Sequence, residues 1–518
     1  MKAFFRVDAS LEIGTGHVMR CLTLAHTLKD YGVENEFLCR KLDGNLINKI
    51  QNEGFKVHEL DNAHEHDGKD GLEHSHWLKT TQQNDANDCI KIIESRGVDW
   101  LIVDHYALDS QWEIALKPFT KKILVIDDLA DRAHDCNILL DQNFSRTYQA
   151  YEPLVTKECR LLLGTKYALL RPEFLNFREQ SLKRRRKYEF KNLLINLGGV
   201  DLGNNTAAIL DYIRKSSLPN DININIVMGK HAPHLESVKN IASQLSQKTN
   251  IYIDIKNVAE LMTAADLAIG ASGSTTWERC CLGLPTIQIG VAKNQDLIGE
   301  ALAKKCAIKL VYKLEEMIPI LEDSLNWAEE VACQASKICD GKGALRTFNH
   351  LRSNEFFCKN DIEFHNYIDL DLDDRATVLE MRNHEDIRKW MYNSNIISEN
   401  EHGSFIDSLE DDPSRSYFLV KQYQQIIGAV NFSNSPNSES VDFGIFSNPL
   451  VNIKGSGMLL ESAASEYAFN VLRAKKIKLE VFESNSKAIS FYQRQGFTLV
   501  NSKKIKNKNI ISMEKVIS

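Results

Sequence analysis

Strand-like runs that are apolar for most of their length, and that stop at a carboxylate or another polar residue, constrain this chain more than any other feature. They are Lys2–Val7 with Asp8 behind it, Glu36–Cys39, Phe55–Leu60, Trp100–Asp104, Ile123–Asp127 and Ile138–Asp141, and helical patterns separate them. A strand covered on one face alternates apolar and polar residues, whereas one covered on both faces reads as an unbroken run. Unbroken runs with helices between them belong to a parallel, doubly wound sheet. A second series repeats the scheme: Asn192–Leu197, Ile222–Met228, Ile251–Ile253, Asp266–Ile269 and Pro285–Ile289. After Phe356–Asn360 the text changes. Tyr417–Val420, Ile426–Phe432 and Val441–Phe446 look antiparallel, and a helix rich in Ala and Leu then leads to Ile477–Phe482. The fold class is therefore α/β: a pair of doubly wound Rossmann-type domains followed by a smaller mixed α/β domain.

Length agrees with that division, because 518 residues exceed one core and domains usually hold roughly 100–200. The expected units are residues 1–170, 171–355 and 360–518. A net charge of −7 gives no electrostatic reason to expect nucleic acid. The basic run Lys183-Arg184-Arg185-Arg186-Lys187 falls at a unit boundary without interleaved aromatics, so it reads as a solvated interdomain linker. Eleven cysteines include no Cys-x-x-Cys pair, as in a chain of reduced thiols. The first residues form a strand rather than a leader. No window reaches the roughly 18–20 apolar residues of a membrane span. These features suggest a cytoplasmic protein with no membrane partner, and nothing in them sets an oligomeric state.

Between the first strand and a helical pattern expected to run from Met19 lies Ile13-Gly14-Thr15-Gly16-His17-Val18-Met19-Arg20. Gly14 and Gly16 in a strand-to-helix turn let backbone approach a ligand, and the helix start offers unpaired N–H groups. His17 at the mouth of that turn is either a capping or ligand-orienting residue or a base able to take a proton from water. Ligands in such sheets collect at the carboxyl ends of the strands. Asp8, Asp104-His105-Tyr106 and Asp127-Asp128 are thus placed on the same rim, with Asp8 the better candidate to orient His17 or a sugar. Asp127 and Asp128 read individually as caps or turn residues. His64, His66, His74 and His76 crowd into Asp61–Trp77. Gly68 and Gly71 between them make this a polar loop rather than the rigid frame a zinc site needs, so no metal is expected.

In the second series two glycine-bearing turns follow strands, Gly198-Gly199-Val200-Asp201 and Gly270-Ala271-Ser272-Gly273-Ser274-Thr275-Thr276-Trp277-Glu278. The latter combines small residues, the hydroxyls of Ser272, Ser274 and Thr275, and a helix start suited to a diphosphate. Glu278, one turn on, is either an ordinary first-turn acid or a carboxylate that accepts two ribose hydroxyls.

Arg6-Val7-Asp8-Ala9-Ser10 with Ile13–Leu22 resembles the UDP-sugar hydrolases of pseudaminic acid biosynthesis, which are built like the two-domain GT-B UDP-GlcNAc transferases. The resemblance implies that His17 is catalytic, that Tyr106 touches substrate, and that His74–Leu78 is a loop facing it. It places backbone near Val258 and Met262 at uracil, Glu278 on the ribose, and Asn294 and Gln295 near the sugar or phosphates.

Further on, Lys454-Gly455-Ser456-Gly457 between strand and helix, with Asn485 and Tyr492 about thirty residues later, resembles the GNAT acetyltransferases. That likeness implies acetyl-CoA as donor. Lys454, Gly455 and Gly457 would hold its pyrophosphate, Asn485 the pantetheine arm, and Tyr492 would protonate the departing thiolate. Tyr492 taken alone also fits a packed aromatic on an amphipathic helix. Asn452 stands where the family usually has Gln or Arg. Glu380–His384 and Ile387–Met391 resemble the acceptor side of the acetyltransferase acting on the 4-amino UDP-sugar of the same pathway, without assigning a base.

Together the two likenesses imply N-acetylation of a 4-amino UDP-sugar and hydrolysis of the diacetamido product to UDP and free sugar. The alternatives on the same scaffold are a GT-B UDP-sugar glycosyltransferase, a hydrolase for a differently configured UDP-diacetamido sugar, and a non-catalytic sugar-nucleotide sensor.

Overall fold

Lys2–Val7 forms β1, and all but its first residue are buried, Arg6 included. In the computed structural model the described residues are 1–60, 71–198, 201–230, 232–255, 257–290, 296–353, 358–359, 362–423, 425–433, 439–451, 453–505 and 508–516. Beside β1 stand β2 (Glu34–Arg40), β3 (Lys56–Leu60), β4 (Val98–Asp104), β5 (Thr120–Ile126), β6 (Ile138–Asp141) and β7 (Arg160–Leu163). Their order is β3-β2-β1-β4-β5-β6-β7, parallel throughout. Strand order reverses between β1 and β4. At that switch point the connections leave to opposite faces and open a crevice at the carboxyl ends.

A second parallel sheet follows the same logic. It consists of β8 (Asn192–Asn196), β9 (Asn223–Met228), β10 (Lys248–Ile253), β11 (Leu267–Ala271), β12 (Thr286–Ile289) and β13 (Lys309–Val311), in the order β10-β9-β8-β11-β12-β13. Its switch point lies between β8 and β11, the two strands that the glycine turns follow. Both sheets belong to one compact unit, Met1–Ala344, and Leu345–Ser518 forms the other.

Four of the five residues of the basic run are exposed, as its charge suggested, and Arg185 alone is buried. The helix Pro172–Arg184 takes the chain from the first lobe to the second, with proline at its first position, where no N–H is needed. Arg178 donates to the carbonyls of Cys281, Ser336 and Cys339, and Arg184 donates to Ala265 O and Asp266. Arg185 is buried and donates to Met262 O at 2.8 Å. Burial pushes its guanidinium down to about 9. Orphan carbonyls at helix and strand ends need donors, and these arginines supply them.

The second unit is built on β14 (Cys358–Lys359), β15 (Ile362–Asn366), β16 (Arg415–Gln422), β17 (Gln425–Ser433), β18 (Ser440–Ser447), β19 (Lys476–Phe482), β20 (Thr498–Ile505) and β21 (Lys508–Val516). Their order is β14-β15-β16-β17-β18-β19-β21-β20. Neighbours run antiparallel except β18 and β19, which are parallel and pair only at Ser440, Val441 and Asp442 with Lys476, Ile477 and Lys478. Beyond Asp442 the strands part, and among the described residues Phe443–Ser447 has no strand partner on that side. Phe364, Phe418, Phe432 and Tyr467 fill the core on one face, and Ile368, Met381, Leu419 and Ala429 the other.

Candidate active sites

The helix after β1 begins at Gly16, three residues before the expected Met19, so His17 lies within its first turn. Gly14, at φ 79°, makes the turn that brings it there. The ring faces β4 across the switch point, and its Nδ1 lies 2.6 Å from Asp104 Oδ1. Asp104 is wholly buried. Burial alone would raise its pKa, but Arg20 and His17 outweigh that and hold the carboxyl well below its usual range. A charged carboxylate at 2.6 Å can only accept, so Nδ1 carries a hydrogen toward it, and in the neutral ring the lone pair falls on Nε2. With 9% of the side chain exposed, that lone pair reaches the cleft.

Arg20, at i+3 from His17 on the same helix face, completes the group. Its Nε and Nη2 donate to the two oxygens of Asp104 at 2.6 and 2.7 Å, and its Nη1 to Asp128 Oδ2 at 2.7 Å. Tyr106 donates to the other oxygen of Asp128. Its ring stands edge-on to His17 with centroids 4.6 Å apart, and burial together with Asp128 pushes its phenol up. Trp77 stacks on Tyr106 and His74 tilts over Trp77, so the loop His74–Leu78 walls the imidazole with aromatic rings.

Asp8 does not orient His17 and does not reach a sugar. It is buried between Arg6, the backbone N–H of Arg40 and His105. Asp85, from the helix Gln82–Ile93, closes the same cluster by accepting from Arg6, Arg40 and Trp112. Asp127 does make the expected turn, accepting from the N–H groups of Leu129 and Ala130, whereas Asp128 faces the cleft.

That cleft, about 730 Å³, lies between the two lobes of the first unit. His17, Arg20, Tyr106, Asp128 and residues 142–147 line one wall, and Ser272, Gly273, Ser274, Gln288 and Asp296 the other. Ser272 Oγ donates to Asp296 Oδ2 at 2.8 Å and accepts from Gln288 Nε2 at 3.0 Å. Gly273 sits at φ 135°, a conformation that side chains resist. Ser274 precedes the seven-residue helix Thr275–Cys281, and Thr275 Oγ1 accepts from Arg279.

Glu278 keeps 17% of its side chain exposed, 3.8 Å from Arg171. Burial dominates its environment and pushes its carboxyl up to about 7. Gly198, at φ 95°, turns the chain after β8 and donates its N–H to Asn196. The Met262 side chain is fully buried, and its carbonyl accepts from Arg185. Val258 opens the helix Val258–Ala264, where first-turn N–H groups lack helical partners. Gly199, Asn294 and Gln295 lie outside the described residues, as do His64, His66 and Asn452.

In the second unit Gly455 caps the helix Ser456–Glu466 at φ 84° and leads its first N–H groups out beside the parting of β18 and β19. Lys454 is exposed there. A Cβ on Gly457 would lie 3.6 Å from Ser447 Oγ and 3.8 Å from Phe491, ordinary contact distances. Asn485 caps the helix Ser486–Arg494 through Oδ1, which leaves its amide N–H groups for a ligand. Tyr492 on that helix packs against Phe443, Phe491 and Phe497. Burial, with Glu461 adding to it, pushes its phenol up, so it holds the proton a general acid must give. On the remaining face Arg382 and Arg388 donate to the carbonyls of Asn393, Ser394 and Asn395, and Tyr392 donates to Glu480.

The sequence pattern of the GNAT acetyltransferase family matches residues 382–497. Acetyltransferase PseH of Campylobacter jejuni is 36% identical over 143 residues, which are 28% of this chain and 88% of that protein. The UDP-2,4-diacetamido-2,4,6-trideoxy-beta-L-altropyranose hydrolase of Campylobacter jejuni is 31% identical over 306 residues, 59% of this chain and 97% of that protein. The chain belongs to both families, hydrolase first and acetyltransferase second. The crystal structure of Acinetobacter baumannii MurG has the fold of the first part, at TM-score 0.50 and 14% identity over 68% of this chain and 99% of that one.

Within the hydrolase part, sequence reasoning put Asp104 and Asp128 on the right rim without their roles, and passed over Arg20 and residues 142–147. The spacing of His17 and Arg20 was a usable signal, since i and i+3 share a helix face. Among the described residues no three His, Cys, Asp or Glu side chains gather to hold a metal ion. No helix among them is long and apolar enough to cross a membrane.

Proposed function

We propose that this chain performs two consecutive reactions on one nucleotide sugar of pseudaminic acid biosynthesis. In the second unit the 4-amine of UDP-4-amino-4,6-dideoxy-N-acetyl-β-L-altrosamine attacks the thioester carbon of acetyl-CoA, the C–N bond forms and the C–S bond breaks, Tyr492 protonates the departing thiolate, and the proton shed by the amine restores the phenol through solvent. The parted strands and the glycine-capped helix beside them suit the donor: free backbone groups for the pantetheine arm and N–H groups for the pyrophosphate. Lys454, Gly455, Gly457 and Asn485 would hold it.

In the first unit water attacks C1 of UDP-2,4-diacetamido-2,4,6-trideoxy-β-L-altropyranose. His17 Nε2 takes the water proton, the C1–O bond breaks, and its electron pair leaves with UDP. The products are UDP and 2,4-diacetamido-2,4,6-trideoxy-L-altrose. UDP is a good leaving group already, so the site needs a positioned water, a base and charge stabilisation. Ser272–Thr275 suit the diphosphate and Glu278 the ribose.

The observation that carries this reading is His17 Nδ1 held 2.6 Å from buried Asp104, on a ring that lines the same cleft as Ser272–Ser274. The test is purified protein incubated with UDP-GlcNAc-type and UDP-altrose-type sugars, with and without acetyl-CoA, alongside His17→Asn. UDP release from the altrose-type diacetamido sugar without added acceptor, lost in His17→Asn while UDP still binds, is the expected result. Full UDP release by His17→Asn, or turnover only with an acceptor alcohol, would overturn it.

A further inference from the structure

The cleft holds a second guanidinium besides that of Arg20. Arg20 spends three of its five N–H donors inside the wall, Nε and Nη2 on Asp104 and Nη1 on Asp128, and two carboxylates balance its charge. Arg146, on the segment after β6, lines the same cleft as His17 and Ser272–Ser274, with 23% of its side chain exposed. Its Nε donates to Asp141 Oδ2 at 2.5 Å and its Nη2 to the carbonyl of Asp128 at 2.7 Å. The guanidinium also lies over the ring of Tyr151, 5.8 Å from its centroid. These contacts fix the plane of the fork and leave Nη1 without a protein partner among the described residues.

The segment that carries Arg146 is held as firmly as its side chain. Asn143 donates its N–H to Asp141 Oδ1 at 2.7 Å and its Nδ2 to Asp128 O at 2.9 Å. Ser145 stands at φ 65°, a left-handed conformation unusual for a residue with a Cβ. Backbone of that kind persists where its surroundings over-determine it, and it recurs around ligand clamps.

The electrostatics of hydrolysis ask for a cation here. A bound UDP-sugar brings two phosphates, and the distal one gains a further negative charge as the C1–O electron pair moves onto the bridging oxygen. The facing residues Ser272, Gly273, Ser274 and Thr275 offer dipoles and hydroxyls but no full positive charge. A planar guanidinium already fixed in the wall loses little freedom on meeting a phosphate. Resting on the hydrolase reading above, we infer that Arg146 donates through Nη1 to the β-phosphate of the bound UDP-sugar and stabilises UDP as it leaves.

The probes are UDP and UMP, which differ by the phosphate in question, measured on the full chain by titration calorimetry beside the rate of UDP release. Arg146→Gln should weaken UDP by at least about tenfold, the range of one lost charge-assisted hydrogen bond, and leave UMP unchanged. The turnover number should fall about a hundredfold, as for a lost oxyanion donor, and Arg146→Lys should restore part of it. Removing Arg146 strands Asp141, so the double variant Arg146→Gln/Asp141→Asn, which removes both charges, should show the same selective loss of UDP. Equal weakening of UDP and UMP, or an unchanged turnover number, would overturn the assignment and leave Arg146 a structural residue. A wild-type protein that binds neither nucleotide would overturn the hydrolase reading, and this inference with it.

Discussion

Asp104→Asn is the substitution that most directly tests how the imidazole is set. In the wild-type protein Oδ1 accepts from His17 Nδ1 at 2.6 Å and from Arg20 Nη2 at 2.7 Å, while Oδ2 accepts from Arg20 Nε at 2.6 Å. An amide must put its NH2 on one of those sides. Either position faces an Arg20 N–H, but only at the Oδ1 position does the NH2 also meet a group that can accept, Nδ1, so the carbonyl takes the Nε side and the NH2 points at Nδ1. Nδ1 then accepts, the ring proton moves to Nε2, and the lone pair that should meet water is gone. Reversal of a catalytic imidazole's tautomer costs about 10³–10⁴ in turnover number, or about 4–5.5 kcal/mol of barrier.

The stability cost is separate and smaller. Losing one member of a buried ion pair costs about 3–5 kcal/mol, and the low end applies because Arg20 keeps Asp128. The assay is UDP release at saturating nucleotide sugar, with acetyl transfer by the same chain and a thermal melt as controls. A variant that keeps normal acetyl transfer and releases UDP within about tenfold of wild type would refute the tautomer argument.

Glu278 gives a test in pH. Its carboxyl is pushed up from the ordinary 4.5 to about 7, chiefly by burial. The folded state therefore binds the proton more tightly than the unfolded chain, and this group's contribution to stability falls as pH rises from about 4.5 to about 7. The interval corresponds to up to about 3 kcal/mol. Glu278→Gln should remove that fall, so the mutant-minus-wild-type difference in urea stability should grow between pH 5 and pH 8. A difference independent of pH would contradict it. Tyr492→Phe should lower the rate of acetyl transfer at saturating acetyl-CoA by about 10²–10⁴, the usual worth of a general acid, with UDP release from the diacetamido sugar unaltered. If both rates fall together, the phenol is not acting at the thioester alone.

Much of the scaffold could be read from the chain because buried parallel strands leave an unmistakable text. Trp100–Asp104 and Ile123–Asp127 announce themselves, and their ends mark the rim where His17 stands. What could not be read is which charge meets which across that rim. Asp8 and Asp104 both end strands that flank the crevice, and proximity in sequence favoured Asp8. Arg6 and the amide of Arg40 claim it instead, leaving Asp104 for the imidazole. Two of the five basic residues after Leu182, Arg184 and Arg185, do more than their charge suggested, for a related reason. Charge alone suggested solvent, but the carbonyls that Arg184 and Arg185 reach lie about eighty residues further along the chain. In the second unit β20 is almost wholly exposed and carries little hydrophobic signal to find it by.

The cluster of Arg6, Asp8, Arg40 and Asp85 limits how the gene for this protein can be cut. Two guanidiniums from neighbouring strands are fully buried, and Asp85, the carboxylate they share, arrives with the helix Gln82–Ile93. A fragment that stops before residue 82, or a circular permutant that parts β1 from that helix, loses Asp85, the carboxylate on which both buried guanidiniums meet. Such pieces should be recovered as aggregates, however faithfully they preserve the glycine turn and the histidine beside it.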